Sequence, residues 1–178
     1  MMRERLIQQQ QLLEDTLFRR MQPLEHDRIL RYVRSHGLFR RDVLDRMVAR
    51  FEEDRPFKGI IHVESRIKHL YSIYCKEKRT GKHVSEFFDL LGLRLICEDE
   101  HQCYAVTDYL HALYPRVRHR FKDFIANPKQ NGYRSIHTSV TGPEGTLVEC
   151  QIRTVAMHVE SEAAHGNYKH KDATNGII

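Results

Sequence analysis

The chain has 178 residues, 40% of them apolar, which is enough for one good core and a helical extension. No run of about 18 apolar residues occurs, so a transmembrane helix is excluded, and the N-terminus, MMRERLIQQQQLLED, is charged and glutamine-rich where a secretory segment would be apolar. The formal charge is +5, before twelve histidines that add to it as pH falls, and it favours anionic partners such as nucleotides, nucleic acid or acidic surfaces.

Residues 2 to about 54 carry apolar residues at helical spacing: Leu6, Leu12, Leu13, Leu17 and Phe18, then Ile29, Leu30 and Val33, then Val43, Leu44, Met47 and Phe51. Pro23 and Ser35-His36-Gly37 separate the three groups. His26-Asp27 is an HD dipeptide, but a metal site would need further ligands on neighbouring helices, so Asp27 is read as an N-cap. Pro56 and Gly59 should end the helical region. Ile60 to Lys68 then alternates as a strand, with Ile61 and Val63 on one side and His62, Glu64, Arg66 and Lys68 on the other. A helix from about His69 to Lys78 follows, and Lys68, Ser72 and Lys76 share one face of it. Charged side chains and a helix N-terminus meet there, as a triphosphate requires; a solvated basic face would have the same composition.

Thr80-Gly81-Lys82 is a loop, and a short helix is expected over Val84 to Phe88. In the strand Leu91 to Cys97 the leucines and Cys97 face inward and Arg94 outward, with Asp89 just ahead of it. Glu100 to Tyr114 is an amphipathic helix with Cys103, Val106, Leu110 and Leu113 on one stripe. Arg116 to Asp123 is expected as a third strand. It leads into FKDFIANPKQNGYRSIHTSV, residues 121–140, where Lys122 and Lys129 flank the turn signals Asn127-Pro128 and Asn131-Gly132. Tyr133 leaves that turn, and Ser135, His137 and Ser139 then alternate with Ile136, Thr138 and Val140. A basic loop with an aromatic ring at its exit suits a phosphorylated, base-bearing ligand, although a solvated loop closed by a boundary tyrosine would look alike.

Gly142-Pro143-Glu144-Gly145 is a hairpin signal before a last strand, Thr146 to Arg153. Val148, Cys150 and Ile152 form its apolar side, and Glu149, Gln151 and Arg153 its polar side. Glu149 and Asp89 lie on separate strands, and two carboxylates against a basic pocket suit Mg²⁺ when phosphates complete its shell. A final helix from Val155 to about His165 carries His158 and Glu162, and a polar tail runs from Asn167 to Ile178. Cys75, Cys97, Cys103 and Cys150 include no CxxC pair, so neither a zinc ribbon nor a disulfide framework is indicated, and a reduced, cytoplasmic protein is the simplest reading.

The segments SRIKHLYSIYCK, FFDLLGLRL, RFKDFIANPKQNGYRSIHTSV and VECQIRTVAMH occur in the order and at the spacing that resembles the synthetase domain of the RelA/SpoT family. The resemblance covers about residues 60 to 165. It implies an α+β, nucleotidyltransferase-like fold, a mixed sheet of about five strands flanked by helices. The domain would span residues 57–170, behind an N-terminal helical region over 1–56 and ahead of a tail at 171–178. It also implies transfer of the β,γ-pyrophosphate of ATP to the 3′-hydroxyl of GDP or GTP. On the matching positions, Arg66 and Arg94 would flank adenine, while Lys68, Ser72 and Lys76 hold the ATP phosphates. Asp89 and Glu149 would bind Mg²⁺, with Glu149 taking the hydroxyl proton. Tyr133 would stack on guanine beside His158; Lys122 and Lys129 would meet acceptor phosphates, and Asn131, His137 and Gln151 would line the pocket.

ATP and GDP or GTP are thus the expected partners, with no membrane and no required nucleic acid, and with either a homo-oligomer or further domains of a longer enzyme around this one. Ser65 and Ile67 depart from the glycine and proline the family often has there, and the last motif is shortened before Gly166. Two other readings stay open: transfer to a different 3′-hydroxyl, and an inactive relative that binds nucleotide or RNA.

Overall fold

Three helices open the chain, α1 (Met2–Met21), α2 (Pro23–Ser35) and α3 (Arg41–Lys58), in a computed structural model that describes residues 2–163. Pro23 lies in the first turn of α2, where its missing N–H deletes no helical bond. Asp27 is not the cap expected of it. Gln22 holds that position, and the Asp27 carboxylate, one turn inside α2, lies 2.9 Å from its neighbour His26 Nδ1. Nor does Pro56 stop α3, because a proline this near a helix end removes a single backbone bond. Gly59 ends α3 with φ of 65°, the left-handed conformation that glycine reaches without a Cβ clash.

The rest of the chain alternates: β1 (Ile60–Ile67), α4 (Leu70–Thr80), β2 (Leu91–Cys97), α5 (Glu100–Leu113), β3 (Lys122–Asp123), β4 (Ile136–Thr141), β5 (Leu147–Thr154) and a last helix, α6, over residues 155–163. The expected end of α6 at His165 and the tail from Asn167 lie outside the described residues. The sheet order is β1-β2-β5-β4-β3, with β2 and β5 parallel and every other pair antiparallel. The fold is therefore α+β, a mixed five-stranded sheet flanked by helices, as the resemblance implied.

Three local expectations change. The third strand is reduced to Lys122–Asp123, with a single bridge from Arg116 to Val140 and a 3₁₀ turn over Arg118–Arg120 between them. Between Val117 and Phe121 the inward position would fall on His119, so the segment has no continuous apolar side to bury. The short helix after α4 is one 3₁₀ turn, Val84–Glu86. In β1 a bulge between Ile60 and His62 turns Ile60 inward with Val63 and leaves Ile61 exposed.

One face of the sheet is apolar. Leu93, Leu95, Val140, Cys150 and Ile152 are closed over by Val43, Leu44, Met47 and Phe51 of α3 and by Cys103, Val106 and Leu110 of α5. The helical region expected over residues 1–56 thus divides physically, since α3 shares the sheet's core. The helices α1 and α2 belong to a second cluster, in which Phe18, Ile29 and Val33 meet Leu70, Ile73, Phe87 and Leu90. Asp15 of α1 caps α4 from outside: its carboxylate accepts the Tyr71 N–H at 2.8 Å and the Leu70 N–H at 3.4 Å. Leu12, Leu13 and Leu17 of α1 face solvent, so of that apolar series only Phe18 is buried.

Candidate active site

Strand periodicity puts a set of polar side chains from each of the five strands on the face opposite the core. The register aligns them in rows. Glu64, Arg94, Gln151, His137 and Lys122 form one row, a residue from each strand, and Arg66, Gly92, Glu149 and Ser139 form the next. Gly92 leaves room for its neighbour, since a Cβ there would stand 3.2 Å from Arg66 Cγ.

At the α4 end of this face Asp89 is gripped by two lysines, with Lys76 Nζ 2.6 Å from one carboxylate oxygen and Lys68 Nζ 3.2 Å from the other. Backbone geometry sets this up: the Lys68 N–H donates to the Leu90 carbonyl at 2.8 Å, fastening the β1 exit to the β2 entrance. Burial disfavours the Asp89 charge, but Lys68 and Lys76 outweigh it and hold the carboxyl below its ordinary range. Burial pushes the Lys68 ammonium down, against Asp89, with Arg66 and Lys76 adding to the fall. Lys76 also lies 4.4 Å from the centre of the Phe87 ring.

Glu149 sits across the cleft on β5. Burial raises its carboxyl and Asp89 raises it further, so the two acids are close enough to feel each other's charge; His137, 3.9 Å away, and Arg66 bring it below the ordinary value. Asp89 and Glu149 are hard oxygen donors whose like charges oppose each other in a partly buried cleft, and that donor set fits a divalent cation taking its other ligands from phosphate and water. Among the described residues no group of three or more His, Cys, Asp or Glu is placed to hold a metal unaided.

Farther along the face, the Tyr133 hydroxyl lies 2.8 Å from His137 Nε2. The loop before it is shaped by Asn131, whose side-chain oxygen accepts the Tyr133 N–H at 3.2 Å, and by Gly132 at φ of 77°. Lys129 Nζ rests 5.0 Å from the Tyr133 ring centre, and Lys122 is exposed on β3. On β2 Arg94 donates to Glu64 at 2.6 Å, and on the central strand β5 Arg153, whose charge also senses Tyr133, donates to His158 of α6 at 2.8 Å.

Of the residues named from the sequence, Arg66, Lys68, Lys76, Asp89 and Glu149 converge at one end of the cleft, and Asn131, Tyr133, His137 and Lys129 at another. Arg94, Gln151 and His158 lie on the same face. Ser72 is turned away: its hydroxyl bonds the His69 ring at 3.1 Å, and that ring bonds Glu14 of α1 at 2.8 Å. Sequence reasoning passed over Glu64, the shared partner of Arg94 and His158, and Arg153, which is buried beneath the face. The alternation had placed both on the polar side, which was the available signal.

The match to known proteins follows this geometry. Residues 65–173 match the model described as the region found in RelA / SpoT proteins. The chain is 38% identical over 168 residues to the GTP pyrophosphokinase of Escherichia coli and 37% identical over 170 residues to the bifunctional (p)ppGpp synthase/hydrolase RelA of Mycobacterium tuberculosis. These alignments take in 92% and 93% of the chain but 23% of either relative, so the chain spans about a quarter of their length. Among solved structures, small alarmone synthetase 1 from Bacillus subtilis superposes with a TM-score of 0.68 at 29% identity, over 79% of this chain and 81% of that one. The same enzyme bound to its product pppGpp gives 0.66 at 28% identity, over 74% and 78%. By sequence and by architecture, the chain belongs to the RelA/SpoT family.

Proposed function

We propose that the chain is a GTP/GDP pyrophosphokinase, which transfers the β,γ-pyrophosphate of ATP to the 3′-hydroxyl of GDP or GTP. What supports this reading is that Asp89 and Glu149, sixty residues apart in sequence, come near enough for their charges to oppose each other, beside Lys68, Lys76 and Arg66. A nucleotide-binding domain that did no chemistry would need the cations but not the opposed acids. The product complex of small alarmone synthetase 1, 28% identical over 74% of the chain, supports the same acceptor class.

In this reading the acceptor 3′-oxygen attacks the β-phosphorus of ATP, the bond from that phosphorus to the α-phosphate's bridging oxygen breaks, and AMP leaves. Glu149 takes the hydroxyl proton. Its carboxyl is held below its ordinary range, so it is ionised and ready to accept at neutral pH. Lys68, Lys76 and Arg66 hold the donor phosphates and offset the charge that spreads over them in the transition state. Asp89 and Glu149 would hold Mg²⁺, which supplies Lewis-acid neutralisation of the phosphate oxygens when bound. Arg66 and Arg94 flank adenine from two neighbouring strands. Tyr133 stacks on guanine, Lys122 and Lys129 receive the acceptor's phosphates, and Asn131, His137, Gln151 and His158 complete its pocket. Ser72 reaches the donor phosphates only by leaving His69.

Incubating the protein with ATP, GDP and Mg²⁺ and resolving the products tests this reading. AMP and a 3′-pyrophosphorylated guanosine nucleotide should appear in equal amounts. Intact ATP binding with neither product would overturn it.

A further inference from the structure

Among the described residues Arg153 is one of the largest fully buried side chains, at 1% exposure, yet it sits on the polar side of β5 and none of their carboxylates lies closer to its Nη2 than Glu162 at 3.8 Å. Such burial is costly for a guanidinium unless its donors are used. Its Nη2 is used, on the Nδ1 of His158 at 2.8 Å, while its Nε is buried without a hydrogen-bond partner among the described residues.

The pairing decides the state of the histidine ring. A guanidinium has donors and no acceptor, so Nδ1 must offer its lone pair, and the hydrogen of the neutral ring is on Nε2. That nitrogen points along the cleft face, 3.9 Å from Glu64 Oε1, whose carboxylate favours a donor there. Double protonation would set an imidazolium N–H against the Arg153 guanidinium. From these contacts we infer that Arg153 is a positioning residue for base specificity: it locks His158 as a fixed N–H donor, so the pocket it lines demands an acceptor from the base.

This inference rests on the transferase reading for the identity of the ligand. Guanine presents its 6-oxo group as an acceptor where adenine presents an amino donor. A ring free to exchange tautomers could serve either base by offering lone pair or hydrogen. Set against the 6-position, a ring held by Arg153 serves the 6-oxo purine and meets the 6-amino purine donor to donor. Arg153 itself touches no substrate in this scheme and acts through His158.

Two readouts test it. In a long-range ¹H–¹⁵N correlation spectrum of the labelled protein at neutral pH, with the His158 signals assigned by their loss in His158→Gln, the ring should be neutral with hydrogen on Nε2. Arg153→Met should release it to a tautomer mixture, and Arg153→Lys, which keeps a donor, should hold it. Affinity is then measured by calorimetry with the donor site saturated by a non-hydrolysable ATP analogue. The parent should prefer GDP to the diphosphate of 2,6-diaminopurine riboside, in which an amino donor replaces the 6-oxo acceptor and N1 loses its hydrogen. Arg153→Met should cut that preference by roughly threefold to tenfold, the worth of one hydrogen bond, and Arg153→Lys should keep most of it. Hydrogen on Nδ1 in the parent, or an unchanged preference in a folded Arg153→Met protein, overturns the inference. Should the parent bind no guanine nucleotide, the transferase reading fails, while the spectrum still decides the lock; should Arg153→Met not fold, the parent and Arg153→Lys spectra decide it.

Discussion

In the proposed reaction Glu149 is the residue on which the chemistry turns, because its carboxyl is held below its ordinary range, 3.9 Å from His137 and close enough to Asp89 to feel its charge. Glu149→Gln keeps the size and removes the base. Turnover should fall by about 10² to 10⁴, the usual range for a lost general base, while ATP affinity, read by calorimetry, stays within a few-fold. Lys76→Met should act differently. It leaves Asp89 with Lys68 alone and strips one cation from the donor phosphates, so the KM for ATP should rise well before turnover suffers. At this scale the sequence was legible wherever strand alternation fixed a face: Glu64, Arg66, Arg94, Glu149 and Gln151 fall on the polar side as their positions require. What it could not carry was pairing between strands. Nothing in the order of residues reveals that Tyr133 meets His137, or that Arg153 meets His158, because those contacts arise from register and from the docking of α6.

Among elements, α1 caps α4 with the Asp15 carboxylate, beside the packing of Phe18 and the bond from Glu14 to His69. Four N–H groups open every helix, and two of those in α4 are satisfied by Asp15 from a helix more than fifty residues earlier. Asp15→Ala should therefore cost about 1 kcal/mol, as N-cap losses do, and lower the melting temperature by about 2–4 °C in a chain of this size. Gly59 is a second test. Alanine there must take a left-handed φ, and its Cβ would fall 2.7 Å from the Gln102 side chain, so Gly59→Ala should destabilise by about 1–2 kcal/mol in denaturant unfolding. The helices were readable from their 3.6-residue period and the long strands from their two-residue period. The segment before β3 was not, since a two-residue strand is fixed by its neighbour β4 and carries no period of its own. The bulge that turns Ile61 outward likewise leaves no mark in composition.

For the molecule as a whole, stability should depend on pH in two stages. Burial, reinforced by Arg116, holds His111 below the ordinary histidine value, and burial with Arg153 does the same for His158. A depressed histidine is neutral in the folded protein while the unfolded chain takes up a proton, so stability is full above about pH 6.5 and is lost as pH falls below it. Asp89 and Glu149 are depressed acids, so their contribution is present above the unfolded carboxylate range and goes only at more acid pH. Melting temperatures measured from pH 8 to pH 4 should decline first through the histidine range, and His111→Gln should flatten that first decline. The rows across the sheet carry one more consequence. Because β1, β2, β4 and β5 each contribute charged or polar side chains to the cleft and apolar ones to the layer beneath, sliding any of these four by a single position would drive polar groups into oil. The cleft thereby penalises its own misassembly, and chains that fold with strands out of step should be too unstable to accumulate.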